Sequence, residues 1–132
     1  MSEFGHIILC EQGFKNVAEN GEITGFQVRV RISYYRGIHV CILDGYDIEV
    51  DGEAFDPDDV SFSLDGQTFY PMKNVADYTD LFWEFGDKAY LHVKKPGGLP
   101  RGLHTVKVRQ RIAVPYLPFS TRSFQVKQLT IV

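Results

Sequence analysis

Phe26-Gln27-Val28-Arg29-Val30-Arg31-Ile32-Ser33-Tyr34 alternates apolar and polar residues, and after Tyr35-Arg36-Gly37 the even-numbered Ile38, Val40 and Ile42 stay apolar. A period of two marks a strand with one face in a core. Residues directly opposite each other in an antiparallel pair share a face. A two-residue loop at Arg36-Gly37 would pair Tyr34 with His39 and put Ile38 outside. A three-residue loop over 35–37 pairs Tyr34 with Ile38 and Ile32 with Val40, so both apolar sets agree. Gly37 suits the left-handed last position of that loop class, because it has no Cβ to clash. The stretch therefore predicts a β-hairpin of decided register. Its other face sets Ser33 against His39, Arg31 against Cys41 and Arg29 against Leu43. With Cys41 and Leu43 that face is half apolar: either scattered surface apolars or a face that another chain covers.

Outward from the hairpin, strand signals recur at short spacing. Residues 6–10 read as a short first strand, and Asn20-Gly21 as a turn before Ile23. Asp44-Gly45 marks a bulge or bend, after which Tyr46, Ile48 and Val50 resume the even-numbered apolar face. Asp56-Pro57-Asp58-Asp59 caps at most a single helical turn, since Val60, Phe62 and Leu64 begin a new alternation. Asp65-Gly66 turns the chain into Thr68, Phe69 and Tyr70. Residues 71–80 are the one place for a short helix. Trp83 with Phe85, then Ala89, Leu91 and Val93, predict two strands around Gly86-Asp87. Residues 96–102 form a loop of turn formers. Val106, Val108, Ile112 and Val114 predict a further strand, broken by Pro115 and Pro118, and Phe124 with Val126 opens the last one. Its apolar parity then shifts to Leu129 and Ile131, which predicts a bulge near Lys127-Gln128. The expectation is an all-β, antiparallel β-sandwich, immunoglobulin- or fibronectin-like, of about eight strands in a single domain over 1–132.

Composition bounds the function. The 132 residues, 44% hydrophobic and 14% aromatic, suffice for a core without staples. A net charge of −3 argues against nucleic acid as a partner, which needs a concentrated basic surface. No run of about 18 apolar residues is present, and the N-terminus lacks a basic region and apolar core of the export type. Cys10 and Cys41 do not make a disulfide framework. These features predict a cytoplasmic protein with free thiols and no membrane association.

No motif for unaided catalysis stands out. His6, His39, His92 and His104 show no i, i+2 or i, i+4 pairing, and His39 with Cys41 offers two ligands, too few for a metal site of this chain's own. The glycine-rich loop does not lead a strand into a helix, so it presents no helix N-terminus to a phosphate. Lys107, Arg109 and Arg111 form one basic stripe and Arg29 with Arg31 another, to be balanced by carboxylates such as Glu49 and Asp51 or used to dock an acidic partner. Trp83 reads as a core residue, or else as a sugar platform. Tyr34, Tyr35 and Arg36, residue types enriched in interfaces, point to recognition at the hairpin tip.

Several segments in order resemble the beta subunits of bacterial C-glycoside deglycosidases. They are Asn16-Val17 with Glu19-Asn20-Gly21 and Gly25-Phe26, Tyr34-Tyr35-Arg36-Gly37-Ile38, and Val50-Asp51-Gly52-Glu53. Trp83-Glu84-Phe85-Gly86, Lys95-Pro96-Gly97-Gly98-Leu99, Gly102 with His104, and Tyr116-Leu117-Pro118 continue the series. The resemblance implies an accessory β-sandwich packed against a sugar-isomerase-like (β/α)8-barrel large subunit, in a hetero-oligomer of αβ units. That large subunit would carry a divalent metal, Mn or Mg, and the acid/base residues of a carbon–carbon lyase acting on 3-oxo-C-glucosides. This chain would then hold no cofactor and no catalytic residue. Tyr34, Tyr35, Arg36, His39 and Trp83 are its candidate partner interface or pocket wall. The alternative is a free-standing carbohydrate-binding module, with Trp83 and tyrosines as stacking platforms.

Overall fold

The computed structural model describes residues 8–33, 36–113 and 121–132. The architecture is an antiparallel β-sandwich. One sheet contains β1 (Lys15–Glu19), β2 (Glu22–Val30), β6 (Val60–Ser63), β7 (Tyr70–Pro71) and β9 (Ala89–Lys94), in the order β1-β2-β9-β6-β7. The facing sheet contains β4 (Leu43–Val50), β5 (Glu53–Ala54), β10 (Gly102–Ile112) and β11 (Thr121–Ile131), in the order β11-β10-β4-β5. A two-stranded ribbon joins β3 (Ile38–His39) to β8 (Phe82–Trp83). Short 3₁₀ turns occupy Val40–Ile42, Pro57–Asp59 and Met72–Asp77. Among the described residues eleven strands replace the expected eight or so, because several have only two residues, too short to show a period.

Alternation dictates the core. Phe26, Val28 and Val30 of β2, with Leu91 and Val93 of β9, face Tyr46, Ile48 and Val50 of β4 and Val106 and Val108 of β10 in one apolar cluster. Two hairpins close on left-handed dipeptides, Asn20-Gly21 between Glu19 and Glu22 and Asp51-Gly52 between Val50 and Glu53. Both residues of each turn have positive φ, which matches the right-handed twist of the strands they join. Gly25 is required for another reason: a Cβ there would lie 2.0 Å from the Val93 carbonyl oxygen of the adjoining strand.

The hairpin expected from residues 26–42 does not form. β2 pairs with β1 and β9, while Ile38 and His39 pair with Trp83 and Phe82, and Val40–Ile42 is a 3₁₀ turn. The register Ile32 to Val40 is therefore overturned; Tyr34 and Tyr35 lie outside the described residues. Parity misled here for a physical reason. Both sheets of a sandwich look into the same core, so a chain crossing from one sheet to the other keeps its apolar parity without pairing with itself. Leu43 is buried opposite Ile112 and Cys41 is half-buried, so the half-apolar outer face is also corrected. Gly37 is not among the glycines of positive φ; it is needed because a Cβ would press to 2.8 Å from the Phe82 ring and the Trp83 carbonyl.

Other expectations fare unevenly. Of residues 6–10, the described part makes a single bridge, Leu9 to Val30. Asp44 is the bulged residue beside Gly45, since Leu43 and Gly45 take successive partners on β10. Asp56 caps its turn by accepting from Asp58 N at 2.9 Å. The 71–80 helix is the 3₁₀ turn Met72–Asp77. Trp83 and Phe85 do not share a strand, because β8 ends at Trp83 and Phe85 is exposed. No bulge interrupts Lys127-Gln128: β11 pairs with β10 in unbroken register, and its parity shift arises because Phe124 and Val126 face outward. Pro115 and Pro118 lie outside the described residues.

Candidate functional site

Of the interface residues nominated by the sequence, the described Arg36, His39 and Trp83 fall on the short β3–β8 ribbon and the segment beside it, while Tyr34 and Tyr35 lie outside the described residues. Ile38 pairs with Trp83 and goes inward, so His39 and Phe82, the next pair, turn outward. Their rings meet edge to face, with centroids 5.0 Å apart at 78°. Phe82 is 41% exposed and Phe85, on the turn closed by Asp87 N donating to Glu84 O at 3.1 Å, is 61% exposed. Arg36 is exposed next to Gly37, whose Cα side lies against the Phe82 ring. The result is a surface of two phenylalanines, a histidine and an arginine, and phenylalanine and arginine are concentrated where proteins bind one another.

Trp83 occupies a different place from its neighbours. It is 0% exposed, packs on Phe62 with ring centroids 5.4 Å apart, and donates from Nε1 to Asp87 O at 2.9 Å. Its indole anchors the ribbon from inside and offers no face to solvent. Phe82, on the opposite parity, stands at the surface instead. Three aromatics in four residues, Phe82, Trp83 and Phe85, carried the available signal: one strand cannot bury all of them.

A second polar centre gathers segments far apart in sequence. His104 Nδ1 lies 2.6 Å from Asp51 Oδ2, and His104 Nε2 lies 2.7 Å from Pro100 O. The other Asp51 oxygen accepts from Thr105 N at 2.8 Å. Asn16 Nδ2 donates to Leu99 O at 2.9 Å, and Leu99 N donates back to Asn16 Oδ1 at 2.8 Å. Lys95 reaches Glu53 at 3.3 Å. The segments around Asn16, Asp51, Lys95 to Leu99 and His104, which carried the resemblance, are thus tied into one end of the sandwich.

That centre is structural in its chemistry. Both neighbours of the His104 ring accept hydrogen bonds, so the imidazolium, which donates from both nitrogens, fits best. Burial pulls the His104 pKa down, but the Pro100 carbonyl and the Asp51 carboxylate outweigh it and hold it above the ordinary value. Asp51 is held below the usual carboxylate range by its hydrogen bonds with His104 and Thr105 N. With no free lone pair, this ring is not a base waiting for substrate.

Among the described residues no group of three or more His, Cys, Asp or Glu side chains is placed to hold a metal ion. Cys10 and Cys41 are free. Among the same residues no helix is long and apolar enough to cross a membrane. The Lys107–Arg111 stripe is charge-paired: Glu49 stands opposite Lys107 and Asp47 opposite Arg109, and Asp47 forms an ion pair with Arg111. Asp51, also expected there, is committed to His104.

A family model described as C-glycoside deglycosidase beta subunit matches residues 4–116. A C-glycoside deglycosidase beta subunit of Eubacterium cellulosolvens is 34% identical over 112 residues, covering 84% of this chain and 76% of that protein. A 3′-dehydrocarminate deglycosidase beta subunit of a Microbacterium species is 31% identical over 97 residues, 72% of this chain and 70% of the relative. A C-glycoside deglycosidase beta subunit of Arthrobacter globiformis is 29% identical over 90 residues, 68% of each chain. The chain belongs to the C-glycoside deglycosidase beta subunit family.

Proposed function

We propose that this chain is the accessory subunit of a two-subunit carbon–carbon lyase, docking through the surface of Arg36, His39, Phe82 and Phe85, with Tyr34 and Tyr35, the residues that precede Arg36 in sequence, as further candidates. The exposed aromatic surface carries the reading. Phe82 and Phe85, close together in sequence and both left in water, make a patch with a cover to accept. The large subunit is a (β/α)8 barrel holding a divalent metal, Mn or Mg, and the acid/base residues. This chain completes a cytoplasmic αβ assembly and supports one wall of the barrel's pocket.

The chemistry assigned to the assembly is an elimination. Its substrate is a C-glucoside of a flavonoid or related aromatic aglycone, oxidised at sugar position 3. The 3′-dehydro substrate in the Microbacterium relative's name agrees with an oxidised sugar. The ketone acidifies the C2 proton; a base removes it, and the electron pair forms the C1–C2 double bond as the C1–aglycone bond breaks. The aglycone carbon leaves with that bond's electrons and takes up a proton. A divalent cation held by the large subunit would supply charge stabilisation as the ketone oxygen becomes anionic. This chain's part is to stabilise and shape the barrel.

The test is co-purification from the native host with only this chain tagged, followed by an assay of the large subunit with and without it. A stoichiometric barrel partner whose C–C cleavage depends on this chain is expected. A lone monomer, or a folded and metal-loaded large subunit fully active alone, would overturn the proposal.

A further inference from the structure

The outer face of the β1-β2-β9-β6 region holds a cleft of about 300 Å³ that shares no residue with the β3–β8 surface. Glu19, Asp58, Asp59, Ser61, Phe69 and His92 contribute to its walls, together with the cation of Lys94. Its size falls at the lower end of small-molecule sites.

Two of these side chains are held in fixed positions. Asp65 Oδ1 accepts from Ser63 Oγ at 3.0 Å and from Gln67 N and Thr68 N at 2.9 Å each, which rigidifies the loop that delivers Phe69. Phe69 then stacks on His92, with ring centroids 3.9 Å apart at 24°. Hydrogen bonding also assigns the His92 tautomer. Gly13 O can only accept, and Gln27 Nε2 donates to it at 2.8 Å, so Gln27 Oε1 is the acceptor for His92 Nε2 at 2.9 Å. His92 therefore carries its proton on Nε2 and keeps a lone pair on Nδ1. Burial agrees, holding its pKa below the ordinary value.

The cleft thus joins carboxylate acceptors in Glu19, Asp58 and Asp59, a cationic side chain in Lys94, a hydroxyl in Ser61 and a flat aromatic wall. Three carboxylates alone would suit a cation, but no set of metal-ligand side chains converges among the described residues. A ligand bearing several hydroxyls, each both donor and acceptor, and one apolar C–H face fits this mixture. We propose that the cleft binds the sugar ring of a glycoside, with the Phe69–His92 stack as its wall and Glu19, Asp58 and Asp59 accepting its hydroxyls. This site goes beyond the accessory role and does not depend on a partner.

The experiment is a titration of the full chain with D-glucose and methyl β-D-glucoside, followed by amide NMR shifts. Saturable shifts in the millimolar range centred on Ser61, Phe69 and His92 are expected. Phe69→Ala and, as a substitution on the 3₁₀ turn that spares the loop, Asp59→Asn should each weaken binding about tenfold. No saturable response to either sugar would overturn the site. So would saturation by putrescine or Mg2+ with the sugars silent, or sugar binding indifferent to both substitutions. Because co-purification plays no part in this test, its failure leaves the subunit reading standing, and the converse holds.

Discussion

Asp51 and His104 hold each other charged, Oδ2 against Nδ1 at 2.6 Å, across a turn in which Asp51 itself has a φ of +51°. The two groups titrate in opposite directions. His104 is raised, so its contribution is fully present below about pH 6.5 and is lost as pH rises through its higher folded value. Asp51 is lowered, so its contribution is present above about pH 3.9 and is lost as pH falls through its lower folded value. Melting temperature measured against pH should show both limbs. Asp51→Asn, which tolerates the left-handed turn, should flatten them. A melting difference between the two proteins that stays constant with pH would refute the pairing.

Asn16→Ala removes both hydrogen bonds to Leu99 and leaves the Leu99 N–H and C=O to find other partners. Native-state hydrogen exchange at Leu99 should accelerate, and global stability should fall by about 1–3 kcal/mol. Exchange at Leu99 unchanged from the parent would show that the loop over 95–101 is held by other contacts.

Gln110 is buried in the core and serves three partners: it donates to Tyr46 OH at 2.7 Å and to Arg31 O at 3.0 Å, and accepts from Ser33 N at 2.8 Å. Gln110→Leu fits by volume but removes the hydrogen bonds that Gln110 makes with the Ser33 N–H, the Arg31 C=O and the Tyr46 hydroxyl. Urea unfolding should show a loss of about 2 kcal/mol or more. A neutral result would mean that water reaches these groups.

Phe82→Ser with Phe85→Ser should leave the circular dichroism of the isolated chain nearly unchanged and lower its melting only through the lost packing of Phe82 on His39 and Gly37, since Phe85 is largely exposed. Affinity for the large subunit should fall by about thirtyfold or more if these rings are central to the contact. Retained affinity with both rings gone would move the interface elsewhere on the sandwich.

The inward faces of β2, β4, β6, β9 and β10 could be read directly from alternation, because burial is written residue by residue. Pairing could not. Ile38 and Val40 share the parity of Phe26 and Val28 whether the chain folds back on itself or crosses to the facing sheet. The 44 residues between Ile38 and Trp83 leave no local trace of their contact. Gln110 was missed for a related reason: its polar side chain sits at an inward position that only its partners, Tyr46, Arg31 and Ser33, explain. The resemblance segments gave the family, while their meeting around Asn16, Asp51 and His104 required the fold. Arg36 and His39 were nominated from residue type and stand at the surface. Trp83 went inward, as its core reading has it, which leaves no face for a sugar platform, and its neighbour Phe82 stands at the surface.

Strand β9 lies between β2 and β6, and β10 between β4 and β11. During synthesis from the N-terminus, β2, β4 and β6 therefore emerge from the ribosome before the strands that complete their ladders. Until residue 94 is available the first sheet has a gap at its centre, and until residue 112 the second has no spine. The nascent chain thus carries unpaired, apolar-faced strands through most of its translation, with only the β1–β2 hairpin and the short β4–β5 and β6–β7 pairings to shield them. Silent codon changes that slow elongation before Lys94 would prolong that exposure, so soluble yield should depend on translation speed even where the amino-acid sequence is untouched.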